Sequence, residues 1–288
     1  MRKYYYYTVL FFSFMVSYSQ NFQGVAYYES KTAANFDFDR GRDIPEDMKK
    51  QMEERMKRML EKTFILTFNS SEANYLEEEK LETPGQEGGR RMFGFMGDSK
   101  YYKNILENRY VNQREVFGKV FLIKDTLPKL TWKLESETKK IGNYTCYKAS
   151  AVKSVDKLDF RSMRPPRRPD NSKDADTTKT SLLDEVTMPK EITIVAWYTP
   201  EIPVNMGPDE YNGLPGLILE VNADRTTILC SKIILNPSHK EDIKEPTKGK
   251  EVSQQEFNEI LTAKMKEMEE NFRNGGGRRD GGGRPGRF

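Results

Sequence analysis

AWYTPEIPVNMGPDEYNGLPGLILEV, Ala196–Val221, is the stretch whose reading decides the rest of the chain. Two extended apolar segments flank a middle rich in proline and glycine. Trp197 and Tyr198 end the first segment; Leu217, Ile218 and Leu219 begin the second. Between them stand Pro200, Pro203, Gly207, Pro208, Gly213, Pro215 and Gly216. Each proline fixes φ and removes a donor, and each glycine permits φ > 0. The spacing predicts a shaped connection between two strands. Within it, Gly213, Leu214, Pro215 and Gly216 set a bend that delivers Leu217 and Leu219 into the core.

Outward from this stretch, further strand patterns appear on both sides. EITIVAWY leads in, and Thr226–Leu235 follows Gly216–Asn222 as a hairpin across Asp224–Arg225. Lys129–Glu137 carries Leu130, Trp132 and Leu134 on one face and alternates as an amphipathic strand. Its hairpin partner is the Tyr144–Val152 run, turned at Gly142–Asn143. Earlier strands are expected near Val25–Tyr27, at Thr63–Phe68, and two or three across Ser99–Asp125. Fifteen Tyr and sixteen Phe favour this β-rich reading, because aromatic side chains pack well on a pleated face.

Two helices stand out. Near 46–62, Met48, Met52, Met56 and Met59 recur at helical spacing, with Glu46 and Asp47 at the positive end. That stripe is expected to pack as a core or docking face. Near 253–272, Ser253 and Glu256 form a capping-box pattern, and Phe257, Ile260, Leu261, Met265 and Met268 form the apolar stripe. The expected architecture is mainly β: a curved antiparallel sheet of roughly eight to ten strands, half-barrel-like, with the two amphipathic helices packed on it. A sandwich is the alternative.

The chain ends argue for export. Arg2 and Lys3 precede an apolar run, Tyr4–Val16, and Ser17 and Ser19 stand at −3 and −1 of a cut before Gln20. Residues 1–19 therefore read as a signal peptide. No later stretch reaches the about 18 apolar residues that a transmembrane helix needs. Residues 20–272 read as a single mostly-β domain, interrupted by a basic, proline-containing flexible loop near 161–179. Residues 273–288 read as a disordered Gly/Arg tail, too poor in apolar residues to fold alone. Losing Arg2 and Lys3 takes the formal charge from +3 to +1. Bulk charge thus gives no case for a nucleic-acid partner. Localisation is expected to be periplasmic, outer-membrane associated or secreted.

Motifs for catalysis are missing from the sequence. It holds no G-x-S-x-G and no H-E-x-x-H, and the lone histidine, His239, cannot build a multi-histidine metal site. No catalytic residue, cofactor or metal ligand is assigned. Glu201, Asp209 and Glu210 are the carboxylates best held by neighbouring proline and glycine; at a suitable separation such groups do acid–base work. Cys146 and Cys230 are candidates for a disulfide, which requires their strands to be neighbours; two separate buried thiols are the alternative.

GLPGLI at Gly213–Ile218, within Ala196–Val221, resembles the signature of the GLPGLI family, secreted proteins of Bacteroidetes-type bacteria. GVAYYE and IGNYTCYKA (141–149) resemble further parts of that family. The resemblance implies a mostly β envelope protein and carries no established activity. The candidate motif residues are Trp197, Tyr198, Pro200, Glu201, Pro203, Asp209, Gly213, Leu214, Pro215, Gly216, Leu217 and Ile218. The expected role is non-enzymatic binding or scaffolding toward a lipid, a peptide or an outer-membrane protein. A carboxylate-dependent hydrolase is the alternative.

Overall fold

A computed structural model describes residues 22–33, 45–78, 99–154 and 191–275. Residues 1–19, read as a signal peptide, residues 161–179, read as a flexible loop, and residues 276–288 of the expected tail lie outside the described residues. Among the described residues, twelve strands are formed: β1 Gly24–Thr32, β2 Glu61–Phe68, β3 Glu72–Glu77, β4 Ser99–Asn104, β5 Arg109–Val116, β6 Lys119–Thr126, β7 Lys133–Ile141, β8 Tyr144–Ser154, β9 Glu191–Thr199, β10 Leu217–Ala223, β11 Thr226–Leu235 and β12 Lys250–Val252. Helix α1 is Glu46–Leu60 and α2 is Gln254–Gly275. All strands join one curved sheet in the order β12-β6-β5-β4-β3-β2-β1-β11-β10-β9-β8-β7. Every pairing is antiparallel except the short parallel contact of β12 with β6.

The sheet is mainly a meander, which local hairpins can build cheaply. Its central closure is long-range: β1 lies between β2 and β11 and pairs antiparallel with both. The two halves of the chain, β2–β6 and β7–β11, therefore meet on either side of the first strand.

The inner face carries the main core. Tyr28, Leu66, Phe68, Tyr75, Tyr101, Tyr110, Phe121, Ile123 and Ile194 are buried there. Aromatic rings ladder across neighbouring strands, with Phe64 stacked on Tyr75 at 4.7 Å and Tyr101 on Tyr110 at 5.1 Å. The first turns of α2 pack onto this face. Phe257 meets Phe121 edge-on at 5.5 Å, and Phe257 and Leu261 are buried.

The outer face has a smaller apolar cluster of Tyr102, Val111 and Leu122, covered by Ile243. Ile243 belongs to a strap, residues 236–249, that leaves β11 and crosses to the far edge. Gln23 Nε2 donates to the Glu241 carbonyl at 2.7 Å, Thr67 Oγ1 to Glu241 at 3.2 Å, and Arg109 to Glu245 at 2.8 Å. The chain then pairs as β12 along β6 and turns into α2. One sheet edge is thus wrapped by a single continuous segment.

Several expectations shift in detail. The strand count exceeds eight to ten, because a second strand, β3, follows β2 where a turn was expected and the strap leads into β12. Leu130 and Trp132 precede β7 instead of lying in it. Helix α1 stops at Leu60 because Glu61 adopts extended geometry (φ −112°) and opens β2 directly. The Ser253–Glu256 box forms: the Glu256 amide donates to Ser253 Oγ at 3.2 Å, and the Ser253 amide to Glu256 at 2.7 Å. Helix α2 runs to Gly275, three residues into the stretch read as tail. Met48 is 54% exposed, so it is not a core member of its stripe. The side chains of Met52, Met56 and Met59 lie outside the described residues. No helix among the described residues is long and apolar enough to cross a membrane.

Candidate functional site

β9 and β10 pair directly, Tyr198 opposite Ile218, so the seventeen residues from Pro200 to Gly216 form the connection between them. The connection lies over the inner face. Ile202, Val204 and Met206 are buried, while Glu201, Pro203 and Asn205 between them are exposed. This period of two lays an extended segment flat, with alternate side chains in the core. Its backbone is tied to the start of β10: the Leu217 amide donates to the Ile202 carbonyl at 3.0 Å, and the Ile218 amide to Met206 at 2.9 Å. Tyr211 and Leu214 are also buried. The inner face is therefore filled by the chain's own connection.

Two glycines make the close approach possible. At Gly216 (φ +155°) a Cβ would stand 2.2 Å from the Thr199 carbonyl oxygen and 2.5 Å from its carbon. At Gly207 a Cβ would stand 2.8 Å from two Ile218 side-chain carbons and 2.9 Å from the Tyr211 oxygen. Backbone packs on backbone at Gly216, and no L side chain fits between. The expected bend at Gly213–Gly216 is present, and Leu217, Ile218 and Leu219 enter the core fully.

A buried cation holds the centre. Lys103 is 0% exposed, and its Nζ donates to the carbonyls of Gly207 at 2.6 Å, Asp209 at 2.8 Å and Tyr211 at 3.1 Å. An ammonium has three donors and no acceptor, so three carbonyls satisfy it completely. Burial pushes its pKa down to about 7, against the upward pull of the Asp209 and Glu210 charges. The sequence pattern missed Lys103. It sits in YYKN after two tyrosines, and the sole signal is a lysine at the inward position of an alternating strand. Two further side chains hold the connection and the strand it enters: Trp132 Nε1 donates to the Asn212 carbonyl at 2.9 Å, and Tyr28 OH to the Ile218 carbonyl at the start of β10 at 2.7 Å.

The expected carboxylates occupy different places. Glu201 accepts from the Thr145 amide at 2.8 Å, whereas Glu210 pairs with Lys153 at 2.6 Å, next in sequence to Asp209. Thr145 and Lys153 lie eight residues apart on β8, about 26 Å at a strand's rise. Even with side chains converging, Glu201 and Glu210 stay more than about 10 Å apart, outside the range of paired-carboxylate hydrolysis. Among the described residues, no group of His, Cys, Asp or Glu is placed to hold a metal ion. Of the remaining motif residues, Trp197 takes Lys139 over its ring at 4.3 Å, Tyr198 is buried beside Tyr147, and Pro200, Pro203 and Pro215 face outward.

The cysteines take the alternative that their pattern left open. Both thiols are free and buried. β9 and β10 intervene between β8 and β11, so the strands of Cys146 and Cys230 are not neighbours. Burial raises the thiol pKa values to about 11 and about 12, and neither is a thiolate near neutral pH.

Residues 132–220 match the family model Porph_ging, a protein of unknown function. A domain of that uncharacterised family is present. The Porph_ging match spans β7, β8, β9 and the connection, and ends inside β10. Lys103 and Tyr28, which anchor the connection, fall outside it. Among curated proteins, no sequence matches the chain. Among solved structures, the chain is similar to two of PNGF-II, in C2 and P21 space groups. Identities are 14% and 15%, each at a TM-score of 0.46, with 84% of this chain and 33% of that chain covered. The chain thus spans about a third of the length of the PNGF-II chains.

Proposed function

We propose that this is an exported, non-enzymatic envelope protein of the GLPGLI type, acting as a scaffold that meets a peptide or an outer-membrane protein with its exterior. The observation that carries the reading is the filled inner face. A curved sheet serves as a lipid carrier only when its concave side is open, and here Ile202, Val204, Met206, Tyr211 and Leu214 occupy it, each 4% exposed or less. The GLPGLI signature at Gly213–Ile218 supports the assignment to that family, and it lies within the segment that matches Porph_ging. Residues 1–19 as a cleaved signal, a single domain from residue 20 to the end of α2 at Gly275, and the remainder as a tail complete the proposal.

Native mass spectrometry of the chain purified from its own envelope tests it. The expected species is lipid-free, recovered with a protein partner in fixed ratio. A stoichiometric lipid retained by the folded body would replace the scaffold with a carrier. A carboxylate-dependent hydrolase remains the alternative, and it needs carboxylates other than the Glu201–Glu210 combination. Hydrolytic turnover abolished by Asp209→Asn with the fold retained would establish it.

A further inference from the structure

Lys103 differs from the other described lysines in its surroundings. Lys62, Lys139 and Lys153 pair with carboxylates near the surface. Lys103 donates only to backbone carbonyls, and all three belong to one five-residue segment, Gly207–Tyr211. Asp209 has positive φ (50°), which turns successive carbonyls toward a common point. Pro208 has no amide hydrogen to compete there. The carboxylates of Asp209 and Glu210 add a negative field, and Tyr110 lies opposite Lys103 in the β4–β5 register. Three converging carbonyls in a negative field make a cradle for a cation with three N–H donors.

We propose that residues 207–211 form a binding site for a primary ammonium group, filled in the native chain by Lys103 acting as a tethered ligand. Occupancy of the cradle, in addition to apolar packing, then fixes the connection over the inner face. The site discriminates by donor number: a primary ammonium satisfies all three carbonyls, a quaternary ammonium none. This inference is independent of the scaffold reading, since it concerns how the inner face is closed and not what the exterior meets.

The test uses the full chain carrying Lys103→Ala. n-Propylammonium supplies the atoms which that substitution removes, from Cγ to Nζ. The thermal midpoint should fall in the variant and rise saturably with n-propylammonium chloride. Tetramethylammonium chloride and 1-propanol, at equal concentration, should leave it unchanged. Equal restoration by 1-propanol would show that the site wants only volume, and would overturn the proposal, as would no restoration by n-propylammonium. Should Lys103→Ala fail to fold, Lys103→Met keeps the stem and loses the ammonium. Amide exchange across 205–213 should then quicken about 10- to 100-fold relative to the native chain, the equivalent of lost charge-assisted hydrogen bonds. Unchanged protection there would sink the cradle. On the native chain, reductive methylation should reach Lys103 last. Labelling at the rate of Lys244, whose side chain is 78% exposed, would contradict the proposal outright.

Discussion

One sheet is covered twice by the same chain, and the two covers are built differently. The connection from Pro200 to Gly216 closes the inner face with side chains that are almost wholly buried, a glycine in backbone contact with Thr199, and a buried ammonium. The strap from Asn236 to Gly249 crosses the outer face with one half-buried apolar residue, Ile243, and with polar bonds that are only part-buried. The Arg109–Glu245 pair has side chains 36% and 31% exposed, where screening leaves little net energy. Burial, and not the number of polar bonds, separates a cover that is part of the core from one that is laid upon it. Substitutions in the connection should therefore act on global stability, and substitutions in the strap on local opening.

The largest effect is expected at Gly216. Gly216→Val puts a branched side chain where a Cβ already falls 2.2 Å from a carbonyl oxygen of β9, so the β9–β10 junction must separate. A loss of about 4 kcal/mol or more is expected in urea unfolding, or no folded yield. Gly142→Ala is the control. Gly142 also has positive φ (58°), but nothing lies within 4 Å of its Cβ position, and a cost of about 1 kcal/mol is expected. Similar losses in the two variants would mean that backbone conformation, not the close packing of the connection, limits stability.

Lys103 comes next, and pH gives its sign. Its folded pKa, about 7, lies below its ordinary value of 10.5. The unfolded chain therefore binds more protons between those values, and stability rises with pH across that window. The penalty of burying the charge is fully present below about pH 7 and is relieved toward pH 10. Urea midpoints of the native chain should climb by an amount worth up to a few kcal/mol, opposed above about pH 9 as Cys146 and Cys230 ionise in the unfolded chain alone. Lys103→Met should lose that slope and, with three carbonyls stranded, unfold about 2–3 kcal/mol more easily at pH 7. A native chain with a flat profile from pH 7 to 10 would show that the carbonyls hold the ammonium as strongly as water does.

The inner cover was half legible in the sequence and the outer cover hardly at all. Proline and glycine at fixed places announce a shaped connection, and the flanking apolar runs announce its strands, because both signals are local. The anchors Lys103 and Tyr28 lie 104 and 190 residues from the groups they bind, and no local pattern encodes such a pairing. Ser238–Gly249 reads as polar sequence because its work is done by backbone and surface charge, with Ile243 its only large apolar residue. Trp132 was placed on a strand because alternation continues through Leu130 and Leu134, whereas its ring is used to cap the connection at Asn212. The disulfide expectation turned on strand adjacency, which depends on the whole sheet order.

Ile243→Ala probes the outer cover directly. It removes the only apolar side chain that packs on Tyr102, Val111 and Leu122 from the strap. A partly buried isoleucine is worth less than a core one, so about 1 kcal/mol is expected. The informative readout is local: amide exchange in 238–248 should quicken while β10 and β11 keep their protection. A uniform rise across the sheet would erase the distinction between the covers.

The smallest effect is expected at Arg109. Its guanidinium pairs with Glu107 and Glu245 and lies over the Tyr102 ring at 5.6 Å, so it is the most connected side chain under the strap. By the number of bonds, Arg109→Ala would be as severe as Lys103→Met. By burial it should cost less than about 1 kcal/mol, since exposed pairs repay little beyond the entropy of holding two long side chains. The gap between these variants, read in one urea series at pH 7, weighs bond number against burial directly. Raising the salt to about 1 M should shrink what remains of the Arg109 effect and leave the Lys103 effect standing, because screening reaches a surface pair and not a sealed cradle. An Arg109 loss that matches Lys103 and persists in salt would place the strap, like the connection, within the cooperative core.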